Sequence, residues 1–121
     1  MSAKEQISKI LLVDDDHSVR RICRIVLERS GYNVIEADSA HAAQTVWDRH
    51  SHCIAMLVTD YEMPGLTGLQ LSALLCSAKP RLKVLIISGC LRELIPHYIA
   101  FLQKPFTASD LMEAVGRCLL P

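Results

Sequence analysis

The sequence predicts an α/β fold, a doubly wound five-stranded parallel sheet flanked by helices, and three observations predict it. Short apolar runs alternate with stretches in which apolar residues recur at helical spacing. The runs are apolar at every position rather than every second one, the pattern of strands buried on both faces beneath helices. The chain has 121 residues, enough for one domain with its own core, so residues 1–121 are expected to form a single domain.

The first strand is Ile10-Leu11-Leu12-Val13, which runs into three acids, Asp14, Asp15 and Asp16. Residues 17 to 30 follow as a helix with Val19, Ile22, Cys23, Val26 and Leu27 on one face, stopped by Gly31. Residues 32 to 37 read as the second strand. Ser39 is placed to cap a helix presenting Ala43, Val46 and Trp47. Ile54-Ala55-Met56-Leu57-Val58 is the third strand, again ending in an acid, Asp60. Residues 67 to 78 carry Leu71, Leu74, Leu75 and Ala78 at helical spacing, and Val84-Leu85-Ile86-Ile87 is a fourth strand ending at Ser88. Residues 99 to 102 are the fifth strand, ending near Lys104. Thr107 caps a final helix that turns Leu111, Ala114, Val115, Cys118 and Leu119 inward. Between the fourth and fifth strands Pro96 disfavours helix continuation, so a fourth helix there is short or missing.

Composition narrows the function classes. Half the residues are hydrophobic, which excludes a disordered chain. Lys plus Arg number 13 and Asp plus Glu number 13, a balance that argues against direct nucleic-acid binding and against an anionic membrane surface. No apolar run is long enough to cross a bilayer and the N-terminus has no signal core, so a cytoplasmic protein is expected. The five cysteines lack a C-x-x-C spacing and read as reduced, mostly buried thiols. His50, His52 and Cys53 read as a polar loop, and Arg20, Arg21 and Arg24 as a solvated strip on the first helix.

In open parallel sheets ligands sit beyond the carboxyl ends of the strands. The residues there are Asp14, Asp15 and Asp16, Asp60, Ser88 and Lys104. Clustered carboxylates raise one another's pKa unless a cation neutralises them, and a hard divalent cation such as Mg2+ takes oxygen ligands of this kind. One carboxylate then serves as an ionised nucleophile. A lysine ammonium, a hydroxyl and the metal all stabilise charge on a phosphoryl group. The set suits phosphoryl transfer to an aspartate.

Four segments carry a family resemblance. Ile10 to Asp16, then Leu57-Val58-Thr59-Asp60-Tyr61-Glu62-Met63-Pro64-Gly65-Leu66-Thr67-Gly68, then Val84-Leu85-Ile86-Ile87-Ser88-Gly89, and Phe101-Leu102-Gln103-Lys104-Pro105-Phe106 together resemble, in order, the receiver domain of bacterial two-component response regulators. The resemblance implies the flavodoxin-like, chemotaxis-regulator-like arrangement with strand order 2-1-3-4-5. It implies that Asp60 accepts the phosphoryl group, that Asp15 binds Mg2+ directly, and that Asp14 acts through water or orients its neighbour. The Glu62 backbone carbonyl completes the protein ligands, Lys104 contacts the phosphoryl group, and Ser88 hydrogen-bonds it and moves on activation. Phe101 occupies the aromatic switch position. The apolar run ends at Val13, so Asp14 and Asp15 are taken as the acidic pair.

The resemblance also implies partners: a sensor histidine kinase or phosphotransfer protein as donor, and an unidentified protein output partner or a homodimer. Only fifteen residues separate Ser88 from Lys104, fewer than is usual in the family, which places the usual output surface in question. Three alternatives are weighed. A haloacid-dehalogenase-type phosphohydrolase combines similar groups, but puts its nucleophile after the first strand in a D-x-D pattern and usually carries a cap. A non-phosphorylated scaffold has no need of the full acid, hydroxyl and lysine set. The chain also reads as a receiver module cut from a larger hybrid kinase or regulator.

Overall fold

The computed structural model describes residues 8–90 and 92–120. Five strands, β1 (Lys9–Val13), β2 (Asn33–Ala37), β3 (Ile54–Asp60), β4 (Lys83–Ser88) and β5 (Ala100–Gln103), form one parallel sheet in the order β2-β1-β3-β4-β5. Four helices flank it: α1 (His17–Arg29), α2 (Ala40–His50), α3 (Gly68–Ala78) and α4 (Ala108–Leu119). The doubly wound parallel sheet and its strand order are those expected from the apolar runs and the resemblance.

Alternation along each strand divides the core in two. Leu11, Val13 and Leu57 face α2 and α3, where they pack with Ala43, Trp47, Leu71 and Leu75. Ile10, Leu12, Met56 and Val58 face α1 and α4, where they meet Cys23, Leu27, Leu111 and Val115. Leu11, Leu12, Leu27, Leu57 and Leu111 are fully buried, and each such side chain stabilises the fold by about 2 kcal/mol.

The helix ends follow from local chemistry. Asp16 caps α1, accepting from the Ser18 and Val19 N–H groups at 2.9 and 3.2 Å. At the other end Tyr32 N–H reaches the Leu27 carbonyl and Gly31 N–H the Glu28 carbonyl, a Schellman closure that needs the positive φ of Gly31 (95°). Thr67 caps α3 with Gln70 answering, and Thr107 caps α4 with Asp110 answering.

Several expectations are corrected. Ile22 is 61% exposed, because the buried stripe of α1 centres on Cys23 and Leu27 and Ile22 falls on its outer flank. Leu74 is likewise exposed on α3. Of the five cysteines Cys23 alone is fully buried, and Cys53, Cys76, Cys90 and Cys118 are half-buried. They lie toward the edges of elements, where a small side chain is only partly covered. Between β4 and β5 the described residues form one 3-10 turn, Arg92–Leu94. It has no helical repeat to hold it. Instead, Arg92 donates to the carbonyls of Ile95, Pro96, His97 and Ile99 at 2.8 to 3.3 Å.

Candidate functional site

Parallel pairing brings the carboxyl ends of β1 and β3 side by side, with Val13 opposite Thr59. The next residues, Asp14 and Asp60, are therefore neighbours. Both are buried, at 4% and 7% exposed. Asp15 is exposed at the mouth, and one carboxylate oxygen from each of Asp14, Asp15 and Asp60 lies within 4.8 Å of the others. Asp16 is committed to capping α1, which leaves the two preceding acids for the cluster. The Asp14 carboxylate accepts from the Asp16 N–H at 2.9 Å.

Lys104 reaches the same point from the loop after β5. Its Nζ is 3.4 Å from Asp60 Oδ1 and 3.8 Å from Asp14 Oδ2. The loop is fastened to β4 by the Lys104 N–H donating to the Ser88 carbonyl at 2.9 Å, and the Lys104–Pro105 peptide is cis. Ser88 is fully buried at the end of β4. Its Oγ accepts from the Cys90 N–H at 2.9 Å, which leaves the hydroxyl proton to donate elsewhere. Glu62 follows β3, with its side chain exposed.

Phe101 stands apart from this cluster. It lies opposite Ile86 in the β4–β5 pairing, behind Ser88, and the Arg92 guanidinium sits 5.4 Å from its ring centroid. The ring lacks a phenol hydroxyl, so any movement of it is a packing event.

Electrostatics set the chemistry of the cluster. Burial pushes the Asp60 carboxyl above its ordinary value and Asp14 pushes it further, while Lys104 and the Tyr61 N–H only partly offset this. Asp14 is raised for the same first reason, burial, against the pull of the Asp16 N–H and Lys104. Three carboxylates face one ammonium. An oxygen-only donor set with surplus negative charge suits a hard divalent cation, and a buried carboxylate beside a cation suits nucleophilic attack on phosphorus.

Several supporting residues carried no sequence signal of their own. Thr59 is fully buried and donates its hydroxyl to the Asp60 carbonyl at 2.9 Å. Gly68 opens α3 so close to β3 that a Cβ would overlap the Asp60 carbonyl oxygen. Its N–H donates to the Tyr61 carbonyl at 2.8 Å. Arg20 is corrected from a solvated strip to a half-buried tether. Its side chain is 13% exposed and pairs with Glu36 at 3.1 Å, and its Nη1 donates to the Asp14 carbonyl at 2.7 Å. Arg24 also pairs with Glu36, at 2.6 Å, and Arg21 and Arg24 are both exposed. Thr59 and Gly68 fall inside the segment from Leu57 to Gly68, but no pattern in it marks these contacts, and Arg20 depends on partners from other elements.

Comparison with known proteins agrees with this geometry. Residues 10–116 match the family described as response regulator receiver domain. The chain is 29% identical over 119 residues to the response regulator receiver protein CpdR of Brucella abortus, covering 93% of this chain and 97% of that one. It is 31% identical over 116 residues to the response regulator protein FleR of Pseudomonas aeruginosa, covering 91% of this chain but 24% of FleR, so it spans about a quarter of that relative's length. The solved receiver domain of the hybrid histidine kinase CckA superimposes with a TM-score of 0.82 at 29% identity, over 93% of this chain and all of that one. With its strand order, its acidic cluster at the strand ends and a family match over nearly its whole length, the chain belongs to the response regulator receiver domain family of two-component signalling.

Proposed function

We propose that this chain is a phospho-accepting receiver in which Asp60 takes a phosphoryl group from the phosphohistidine of a sensor histidine kinase or phosphotransfer protein. The observation that carries the reading is the buried Asp60 carboxylate, 3.4 Å from Lys104 and clustered with Asp14 and Asp15. An Asp60 carboxylate oxygen attacks phosphorus, an O–P bond forms, and the N–P bond to histidine breaks with its electron pair returning to the imidazole. Lys104 and the free proton of the Ser88 hydroxyl receive the phosphoryl oxygens. The chain supports its own phosphorylation and dephosphorylation and is not otherwise an enzyme.

The donor set fits Mg2+, with Asp14, Asp15, Asp60 and the Glu62 backbone carbonyl as its protein ligands. When bound, Mg2+ neutralises the clustered carboxylates and polarises the phosphoryl group. Asp15 at the mouth takes the direct contact, and Asp14, held by the Asp16 N–H, orients the site.

Output follows from Ser88 and Phe101. The β4–β5 segment is shorter than is usual in the family, so the signal passes to a partner suited to this face rather than to one that reads a full helix between β4 and β5. The single domain over residues 1–121 and a cytoplasmic setting belong to the same reading. Among the described residues no helix is long and apolar enough to cross a membrane.

The phosphohydrolase alternative is not favoured. Its D-x-D pattern would use Asp14 and Asp16, yet Asp16 spends both of its contacts capping α1, and the family match is to receivers. The test is intact-mass measurement after incubation with acetyl phosphate or phosphoramidate and Mg2+. One acid-labile phosphoryl group is expected on the parent and none on Asp60→Ala. Unchanged labelling of that variant refutes the assignment.

A further inference from the structure

On the α2–α3 side of the sheet the helical layer stops short. There α2 packs on β1 and β2, and α3 on β3 and β4. β5 is covered by α4 on the opposite side alone. A helix is about 10 Å wide and strands are about 4.8 Å apart, so two helices cover four strands and leave the fifth without a helix on this side. The result is a cleft of about 620 Å3 between α3 and β5, with Leu69, Ala73 and Cys76 on one wall, Val84 on the floor, and Tyr98 and Ile99 on the other wall. Tyr98 is 88% exposed.

Charge says what fits. Among the described residues lining the cleft Lys83 is the one that carries a charge, and Lys83 and Arg117 both bear electrostatically on Cys118 at the same end. A second copy of this chain suits the cleft poorly. Of its large exposed apolar helix residues, Ile22 and Ile25 lie among Arg21, Arg24 and Arg29, which would bring cations against Lys83. Leu74 belongs to α3, which forms the cleft wall itself, and Met112 on α4 is a single side chain rather than a face.

The outer wall is not independent of the candidate site. Ala100 and Leu102 turn toward α4, so Phe101 turns toward the cleft side, under the Arg92 guanidinium. The same guanidinium holds the carbonyls of Ile95, Pro96, His97 and Ile99. Movement of the Phe101 ring therefore displaces the group that fixes this wall.

We propose that the cleft between α3 and β5 docks one amphipathic helix of a partner protein, through an apolar face and a carboxylate set opposite Lys83, and that Arg92 ties its outer wall to Phe101. The docking part stands on the cleft alone, and its phosphorylation dependence rests on the receiver reading above.

The experiment titrates isotope-labelled protein with two synthetic helical peptides, each with a leucine face, one flanked by glutamates and one by lysines, followed by NMR. The acidic peptide is expected to shift the resonances of Ala73, Cys76, Val84 and Ile99, and to bind more tightly than its basic twin by about fivefold, the scale of a rim ion pair. Lys83→Glu should reverse that preference. Ala73→Arg, on the exposed side of α3, should block binding while the spectrum stays folded and Asp60 labelling persists. Equal binding of both peptides, shifts confined to other faces, or a concentration-dependent dimer abolished by Ala73→Arg overturns the proposal. Phosphorylated protein should bind the acidic peptide with a changed affinity, and Arg92→Met or Arg92→Lys should erase the change. Labelled protein of unchanged affinity overturns the Arg92 link. Failure to label at all overturns the receiver reading instead, while the unphosphorylated titration still decides the cleft.

Discussion

Asp60 sits where its own charge is costly, and that cost is measurable. In the fold Asp14 and Asp60 both titrate above their ordinary values because burial removes water from them. Between the ordinary and the raised value the folded chain holds more protons than the unfolded one, so metal-free stability falls as pH rises through that window, and the full cost is present above the raised value. Asp60→Asn should therefore stabilise the metal-free protein by about 1 kcal/mol, read from urea unfolding in the presence of a chelator. A less stable variant would show that the Lys104 pair outweighs the burial. Cys23 titrates at the other end of the scale. Burial, with Asp14 adding to it, pushes its thiol from 9.0 up to about 11. The stability held by the neutral thiol is whole below the lower of these values and is lost as pH rises through the upper one. Cys23→Ala should flatten this alkaline loss while lowering stability at neutral pH by about 1 kcal/mol. An unchanged alkaline limb would mean that another group governs it.

At the scale of elements, the junction of β3 with α3 is the most constrained. Gly68 lets the helix start against the Asp60 carbonyl, so Gly68→Ala should cost about 2 kcal/mol or more and should shift the Asp60 and Tyr61 amide resonances. Gly116 is the contrast. It lies within α4 with nothing near the position of a Cβ, and Gly116→Ala should raise stability by about 0.5 to 1 kcal/mol. Thermal unfolding of the two variants, side by side, checks both signs. The strands could be read from sequence because burial on both faces leaves a continuous apolar run. Helix faces could be read only approximately. Periodicity marks a stripe without marking its centre, which is how Ile22 was placed inside. The segment after β4 is the least legible of all. Its order comes from one arginine binding four carbonyls, and such a clamp has neither period nor composition.

Across the whole molecule the sheet joins two cores that do not touch except through it. Leu57 and Val58 are adjacent in β3 yet belong to opposite clusters. Unfolding should therefore be one transition. Leu111→Ala on the α4 side should lower stability by about 2 to 5 kcal/mol. It should move the midpoint seen by Trp47 fluorescence, on the α2 side, together with that seen by far-ultraviolet circular dichroism. Separate midpoints would mean that the two faces melt independently. The same arrangement explains why the site positions could be read from sequence. Once the strands are known to be parallel, their carboxyl ends must meet, and Asp14, Asp60, Ser88 and Lys104 come with them. The roles of the supports behind them, Thr59, Gly68 and Arg20, could not be read, since each acts on a backbone carbonyl and a carbonyl leaves no mark on residue type.

Arg20 has a consequence for ancestry. It joins Glu36 on β2 to the main-chain carbonyl of Asp14, and Glu36 is shared with Arg24. The shape of the acidic turn is thus inherited through residues that never meet a phosphoryl group. In a diverging lineage a change of Arg20 reaches the acidic turn directly, through the Asp14 carbonyl, whereas Glu36 keeps Arg24 as a partner. A descendant that loses Arg20 must recruit a new donor for the Asp14 carbonyl if the turn is to hold its form.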